Sequence, residues 1–322
     1  MVQPPPRGSA APSTSSSPPL PGLARRRRRR LRPVTLALTG IWVLVQLVVA
    51  VFFGLPLLWL LLAPTKTDAQ VVNWSPISFG SFGNIGSAWS NLMGYNDHEI
   101  LTWLWNSLLY SGGALLLVVA LCLTAGYALG TVKFRGRSTL LLITLIAMIM
   151  PAAALVLPVF LEINAVHLQN TAWSVILPSA FYPFGVYLAY IYFSTQLPSE
   201  LLAAGRIDGC SEARLFWSLA LPLAKPVIAM VGFFSFTFNW QNFYLPYVML
   251  ADDTKYPLTV GPMSLIQSTP ALNPAVGSGT GLNIYRPEIA LAGLFVVLPI
   301  AIIFVFAQRY VVVGTLSGAE KG

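Results

Sequence analysis

A charge-free run of thirty residues, 34–63, constrains the fold of this 322-residue chain more than any other feature. As an α-helix it would extend about 45 Å at about 1.5 Å per residue, whereas the hydrocarbon core of a bilayer is about 30 Å thick. A cleaved signal peptide would have an apolar run about half as long, closed by small residues at a cleavage site. The run therefore predicts a membrane-spanning helix.

Five further apolar segments follow this first one. Residues are 56% apolar and 9% charged, whereas soluble proteins are about 45–50% apolar and about 25% charged. This composition excludes both an ordinary soluble domain and a disordered chain. It predicts an all-α membrane protein with six transmembrane helices, at residues 34–63, 104–130, 140–161, 172–195, 227–250 and 289–307.

The distribution of Lys and Arg predicts the orientation of these spans. Sixteen of the 19 basic residues fall on the side that holds both termini and the segments 131–138 and 196–226. Only Lys66, Lys255 and Arg286 fall on the other side. Because cytoplasmic loops carry the excess of positive charge, both termini are predicted to be cytoplasmic, in a multi-pass protein of a bacterial plasma membrane.

The N-terminal segment differs in composition from the rest of the chain. Residues 1–33 are rich in Pro and Ser and contain six consecutive arginines, Arg25 to Arg30. They predict a disordered cytoplasmic tail, followed by a six-span domain over 34–309 and a C-terminal tail over 310–322. No aromatic residues are interleaved with the arginines, so the net charge of +8 favours a topology signal and contact with anionic lipid over binding of nucleic acid.

Sequence motifs for catalysis are absent. The chain has no phosphate-binding loop, no zinc-protease motif and no nucleophile elbow, and it has only two cysteines and two histidines. It is therefore predicted not to be an enzyme and not to bind a metal. The spans contain essentially no ionisable residue, which disfavours coupling to a proton or ion gradient. Energy would then come from another subunit through the largest cytoplasmic loop, about 197–226.

This loop has the signals of two short helices joined by a tight turn. Pro198 or Ser199 can begin the first helix, Gly209 can end it in the left-handed conformation, Ser211 can cap the second and Pro222 can end that one. Helix–turn–helix also describes a DNA-binding motif. Because this pair is tethered between spans and carries mixed charge, docking into a groove of another protein is favoured.

The loop resembles the EAA loop of ABC importer permeases, in particular the sugar-importer branch that includes the second permease subunit of the maltose transporter. That family pattern runs P-x-E-L-x-E-A-A-x-x-D-G-A and continues to L-P-x-x-x-P. The matching positions are Pro198, Glu200, Leu201, Ala204, Arg206, Ile207, Asp208, Gly209, Ser211, Phe216, Leu221, Pro222 and Pro226. The resemblance extends over roughly residues 106–322, including the Met150-Pro151 and Leu157-Pro158 pairs.

One departure from the pattern concerns the signature triplet, which falls on Ala203, Ala204 and Gly205. The family glutamate is thus replaced by Ala203, and its contact is not carried over. The resemblance implies that the docking role belongs to Glu200, Ala203, Ala204, Gly205, Arg206, Asp208, Gly209 and Ser211.

The resemblance also implies the partners. These are a second, homologous permease, cytoplasmic ATP-binding cassette subunits and an extracytoplasmic solute-binding protein. Membrane lipid is a further partner, and nucleic acid is not one. No cofactor would be bound by this chain, since ATP and Mg would sit on the ATPase.

An amide and aromatic cluster in the fifth span is the candidate substrate path. It comprises Phe236, Asn239, Trp240, Asn242 and Tyr244. Rings stack on the apolar faces of sugars while amides bind hydroxyl groups. The alternative is that Trp240 and Tyr244 belong to an interfacial aromatic belt and the amides bond neighbouring helices.

Two other functions compete with an importer subunit. A stand-alone secondary transporter or channel would conduct without partners, and a non-transporting receptor or scaffold would not depend on the loop. A smaller alternative concerns Gly126 and Gly130, whose G-x-x-x-G spacing predicts close helix packing or, alternatively, a gating hinge.

Overall fold

The protein is described by a computed structural model over residues 33–269, 272–273 and 284–319. Every regular element within those ranges is helical, which confirms the all-α class. The predicted disordered tail lies, except for its last residue, outside the described residues. The α-helices are α1 (Pro33–Leu62), α2 (Asp68–Asn73), α3 (Phe82–Gly94), α4 (Glu99–Thr131), α5 (Arg137–Ile149), α6 (Ala152–Ala165), α7 (Ala172–Ser179), α8 (Pro183–Thr195), α9 (Ser199–Ile207), α10 (Glu212–Leu215), α11 (Leu221–Leu223), α12 (Lys225–Trp240), α13 (Tyr244–Met249), α14 (Gly261–Ser268) and α15 (Arg286–Ala319).

Several helices are long and apolar enough to cross a membrane. Four segments of the described chain qualify outright, and two bent helix pairs qualify if each pair counts as one crossing. The four segments are Leu38–Thr65, Glu99–Thr131, Ala172–Thr195 and Arg286–Gln308. The chain is thus a membrane protein with four to six candidate spans.

The predicted third span is divided into two helices. Helices α5 and α6 meet at 107° around Met150 and Pro151. Proline lacks the backbone N–H that a continuing helix needs, and it forces the preceding residue into extended conformation, which Met150 adopts at φ −68° and ψ 129°. Residues 140–161, predicted as the third span, therefore belong to a bent pair of helices.

The predicted fifth span is interrupted as well. Helix α12 ends at Trp240, and α13 begins after a short turn at Tyr244. At its other end, α12 makes an angle of 80° with the helical segment Glu212–Leu223 that precedes it. Pro226 lies in the first turn of α12, where a missing N–H costs no hydrogen bond.

The chain divides into two compact units, Met1–Phe53 and Gly54–Gly322. In the first, the side chains described belong to α1 and are exposed and mostly apolar, as expected of a lipid-facing helix. In the second, α4 packs along α8 and α12, and the core between them is fully buried. Its central residues are Val118, Ala189, Phe193, Val227 and Val231.

Small residues set the distance between α4 and α8. A Cβ placed on Gly126 would lie 2.8 Å from the carbonyl carbon of Ala189, and one on Gly130 would lie 3.0 Å from the Cβ of Phe193. Only glycine allows the two backbones to approach this closely. The G-x-x-x-G spacing therefore serves helix packing.

Candidate functional site

The turn between α9 and α10 is closed by a complete set of backbone hydrogen bonds. Gly209 lies in the left-handed region at φ +78°. Its N–H donates to the carbonyl of Arg206 at 3.1 Å, and the N–H of Cys210 donates to the carbonyl of Gly205 at 2.9 Å. This is a Schellman motif, in which glycine tolerates a conformation that strains other residues. The predicted left-handed conformation of Gly209 after the first helix is thus observed.

Helix α10 begins with the predicted cap. The Oγ of Ser211 accepts a hydrogen bond from the N–H of Arg214 at 3.3 Å. The second helix differs from the prediction at its other end, because a π-helical turn over Phe216–Ala220 continues it into α11. Pro222 lies at the start of α11, so the helical segment ends at Leu223 rather than at this proline.

The two short helices touch where the signature triplet ends. A Cβ on Gly205 would overlap the Cδ2 atom of Leu215, which is itself buried. Glycine at this position therefore lets α10 sit directly against α9. Alanine at this third position of the triplet would require the Leu215 side chain to shift.

Charged side chains join the pair of helices to α4. The Nε of Arg206 donates to Oε1 of Glu212 at 2.7 Å, and the hydroxyl of Tyr127 donates to Oε2 of Glu212 at 3.0 Å. The Arg206 guanidinium also donates to the carbonyl of Thr131, the last residue of α4, at 3.4 Å. We call Arg206, Glu212 and Tyr127 the polar bridge. The hydrogen bond to Glu212 raises the pKa of Arg206, so this side chain stays charged.

The remaining predicted loop residues form an exposed surface. Glu200, Ala203, Ala204 and Asp208 are all exposed. Apolar residues divide between the two sides of the pair. Leu202, Leu215 and Phe216 are buried toward α4 and α8, whereas Leu201, Ile207 and Trp217 are exposed, with Ile207 at 86% of its maximum. The exposed side of the pair thus carries both apolar and polar side chains.

The predicted substrate residues differ in their surroundings. Phe236 and Trp240 are buried and stacked at 5.4 Å, and the indole N–H of Trp240 donates to the carbonyl of Val296 at 2.8 Å. Asn242 and Tyr244 lie beyond the end of α12, where Oδ1 of Asn242 accepts from the N–H of Leu245 at 3.3 Å. Tyr244 is exposed.

Asn239 has an incompletely satisfied amide. Its Nδ2 donates to Oγ of Ser235 at 3.3 Å. Its Oδ1 is buried and has no hydrogen-bond partner among the described residues. A buried carbonyl oxygen without a donor is costly, so Asn239 is the member of the set that most needs a further partner.

Sequence reasoning missed a second polar arrangement, at the start of α4. Four side chains spaced i, i+3, i+4 and i+7 lie on one face of this helix and bind the segment 253–258. Trp103 donates to the carbonyl of Asp253 at 3.0 Å, and Asn106 donates to those of Thr254 and Tyr256 at 2.8 and 3.1 Å.

The other two members complete this arrangement. The Tyr110 hydroxyl donates to the carbonyl of Lys255 at 2.8 Å, and Ser107 Oγ accepts from the N–H of Leu258 at 2.7 Å. The spacing was visible in the sequence, but its partner segment, about 150 residues further on, was not. This face of α4 holds the loop after α13 rigidly in place.

The same loop is fixed from a second side. Asn170 donates to Oδ2 of Asp252 at 2.9 Å, and Lys255 forms an ion pair with the same carboxylate at 2.7 Å. The hydrogen bond from Lys255, and after it the one from Asn170, lowers the pKa of Asp252. The Asp252 carboxylate therefore stays ionised beside the Lys255 ammonium.

A solved structure has a similar fold. A chain of the crystal structure of a bacterial ABC transporter involved in the import of the acidic polysaccharide alginate aligns with a TM-score of 0.74 and 20% identity. The alignment covers 87% of this chain and 98% of that chain. At this identity the likeness concerns the fold alone. The fold defines the class as multi-pass α-helical membrane proteins.

The family follows from the sequence comparison. The family described as binding-protein-dependent transport system inner membrane component matches residues 122–315, which is more than half of the chain. This chain belongs to that family. It is a transport permease subunit of the ABC importer type and not an enzyme, and its family carries no cofactor.

Named relatives agree with this assignment. The arabinooligosaccharides transport system permease protein AraQ of Halalkalibacterium halodurans is 34% identical over 222 residues, covering 69% of this chain and 74% of AraQ. The diacetylchitobiose uptake system permease protein NgcG of Streptomyces coelicolor is 30% identical over 211 residues, covering 64% and 67%. The predicted resemblance to ABC importer permeases is confirmed.

Proposed function

We propose that this chain forms half of the translocation path of an ABC importer for a sugar or sugar-like solute. Its relatives AraQ and NgcG are named for the transport of arabinooligosaccharides and diacetylchitobiose. The second half of the path is a homologous permease. An extracytoplasmic solute-binding protein delivers the solute, and cytoplasmic ATP-binding cassette subunits hold ATP and Mg.

The proposed topology has six crossings at the predicted spans, with α5 and α6 together as the third and the segment from α12 to Leu250 as the fifth. Both termini lie in the cytoplasm of a bacterium, as does the helix–turn–helix within residues 197–226. Support comes from the sixteen basic residues assigned to that side against three on the other. Residues 1–33 and 310–322 are the cytoplasmic tails of the permease domain, 34–309.

The exposed surface of α9 and α10 is the proposed docking site for the ATPase. Glu200, Ala203, Ala204, Asp208 and Ile207 supply it. Its neighbours Gly205, Gly209 and Ser211 shape the two helices rather than contact the partner. Because Ala203 replaces the family glutamate, docking here relies on apolar and backbone contact around Ile207 and the turn.

The polar bridge is the observation that carries this proposal. Two helices that were exposed but free to move could not transmit force, whereas Arg206 and Glu212 tie them to Tyr127 and to the end of α4. When ATP closes the ATPase dimer, the docked helices move with it and α4 moves with them. Alternating access results because the two ATPase states bias the two permease conformations differently.

The substrate path is proposed along α12 and the turn that follows it. Asn239, Asn242 and Tyr244 offer polar groups, while Phe236 and Trp240 form the packed wall behind them. The alternative is that all five serve helix packing or the interfacial belt. It is favoured for Trp240, since its indole N–H already has a protein partner.

Reconstitution with and without partners tests the proposal. The complex in proteoliposomes is expected to couple ATP hydrolysis to solute uptake, while this chain alone does neither. Asp208→Lys and Gly209→Trp should leave insertion intact but separate hydrolysis from uptake. Gradient-driven flux by the chain alone would favour the secondary transporter or channel, and normal uptake in both variants would contradict docking through this loop.

A further inference from the structure

The segment after α1 is a closed loop. Lys66 is buried, and its Nζ donates to the carbonyls of Ser75 and Pro76 at 2.9 and 3.1 Å. Thr65 binds the far end of the loop. Its Oγ1 accepts a hydrogen bond from the N–H of Gly80 at 3.0 Å, and its carbonyl accepts one from the N–H of Ser81 at 2.6 Å. Residues 66–81 therefore stay next to the end of α1.

The closed loop and the start of α3 expose large apolar side chains. Val72, Trp74, Ile77, Phe79 and Phe82 are all exposed, with Phe82 at 78% of its maximum. The rings of Phe79 and Phe82 contact each other at 4.8 Å. We call these five residues the apolar loop patch. A loop surrounded by water would gain nothing from such a concentration of apolar surface.

The same segment is almost without charge. Between Lys66 and Asp97 the sequence contains one ionisable side chain with a formal charge, Asp68. Its carboxylate accepts hydrogen bonds of 2.9 Å on both oxygens from Arg286. Apart from Lys66, which is already buried and bonded to two carbonyls, no uncompensated charge of this segment would therefore have to leave water if the apolar loop patch entered a less polar medium.

The position of the patch identifies that medium. Helix α1 is longer than the hydrocarbon core is thick, so its end at Leu62 reaches the headgroup region. Leu55, Leu57, Leu58 and Leu61 are exposed on the last turns of α1. Three residues of 3-10 helix, Ala63–Thr65, join that lipid-facing surface to the loop.

We propose that the apolar loop patch is a membrane anchor that inserts into the headgroup and acyl boundary of the bilayer that α1 crosses. Tryptophan and phenylalanine interspersed with serine, asparagine and glycine suit this boundary, where one end of a side chain is apolar and the other is wet. The anchor holds the end of α1 at a fixed depth. The proposal rests on the proposed function only in taking α1 as a membrane crossing.

Depth-dependent fluorescence quenching tests this proposal. In a Cys122→Ala, Cys210→Ala background, Ile77→Cys is labelled with a bimane dye, and the whole importer is reconstituted in phosphatidylcholine vesicles. Nitroxide lipids labelled near the headgroup are expected to quench the dye several-fold more than aqueous iodide does. Asp253→Cys, on the charged exposed loop, is the matched control and should show the reverse preference.

Opening the closed loop gives a second variant. Lys66→Met removes both hydrogen bonds to the loop carbonyls, so quenching by the nitroxide lipid at position 77 should fall toward that of the control. Stronger quenching by iodide at position 77 would overturn the proposal, and so would shielding from iodide that is seen in the whole importer but not in vesicles that hold this chain alone. Uptake measured in the same vesicles separates this result from a failure of the transport assignment.

Discussion

The hydroxyl of Tyr127 on α4 donates a hydrogen bond of 3.0 Å to the carboxylate of Glu212 on α10, which lies 85 residues later in the sequence. The same carboxylate accepts from Arg206 on α9. One acidic side chain thus connects both short helices to a membrane-spanning helix. Removal of either hydrogen bond should therefore affect transport more than folding.

Tyr127→Phe is expected to lower uptake per ATP hydrolysed while the protein remains folded. A single neutral or charge-assisted hydrogen bond contributes about 0.5–3 kcal/mol, and the Tyr127 ring keeps its contacts with Phe193 and Phe216. The ratio of uptake to hydrolysis in proteoliposomes measures the effect. Glu212→Gln should behave similarly, and the double variant should be no worse than the more severe single one. Additive losses would show that the two residues act separately.

The conformation of Gly209 leads to a second prediction. No heavy atom lies within 4 Å of a Cβ placed on it, so the cost of substitution is conformational rather than steric. Gly209→Ala should weaken the turn by about 1–2 kcal/mol, and Gly209→Asn by less, because asparagine tolerates left-handed backbone. The affinity of the purified permease complex for the ATPase should therefore fall more for Gly209→Ala than for Gly209→Asn. Equal binding by both variants would contradict it.

The packing of α4 on α8 leads to a third prediction. Gly126→Ala would place a Cβ 2.8 Å from the backbone carbon of Ala189 and from the backbone nitrogen of Tyr190, neither of which can move alone. A loss of about 1–3 kcal/mol is expected from such overpacking. Gly112→Ala on the same helix is the control, because nothing lies within 4 Å of its Cβ. The thermal unfolding midpoint in detergent should fall for the first variant only.

The loop after α13 provides a fourth prediction. Asn106→Leu leaves the carbonyls of Thr254 and Tyr256 without their side-chain donor, at a cost of about 1–3 kcal/mol if they stay dry. Faster proteolysis within 251–258 is the expected result. Asn73→Leu is the control, since Asn73 is exposed and bonds only within α2 in the contacts described for it. Equal rates of proteolysis in both variants would mean that the hydrogen bonds from Trp103 and Tyr110 are enough to hold the loop.

Local sequence rules predicted the parts of the structure that depend on neighbouring residues. The left-handed Gly209, the capping Ser211 and the apolar composition of the spans all follow from a few adjacent positions. Glu212 was visible only as a polar residue at the edge of a helix, because its partner Tyr127 is distant in sequence. Likewise, Pro151 is incompatible with a continuous helix, but the 107° angle between α5 and α6 depends on what α6 packs against.

Asn239 provides the last prediction, because it separates a role in the substrate path from a role in packing. Its buried Oδ1 has no partner among the described residues, so replacement by the similarly sized leucine should leave stability unchanged or raise it. If a sugar hydroxyl donates to this oxygen, that hydrogen bond would be lost as well. The KM for uptake should then rise about tenfold, which corresponds to about 1.4 kcal/mol of binding free energy. Ser235→Ala removes the Oγ that accepts from Asn239 and tests whether the amide needs that support. If Asn239→Leu lowers stability and leaves the KM unchanged, the amide serves helix packing and the path lies elsewhere.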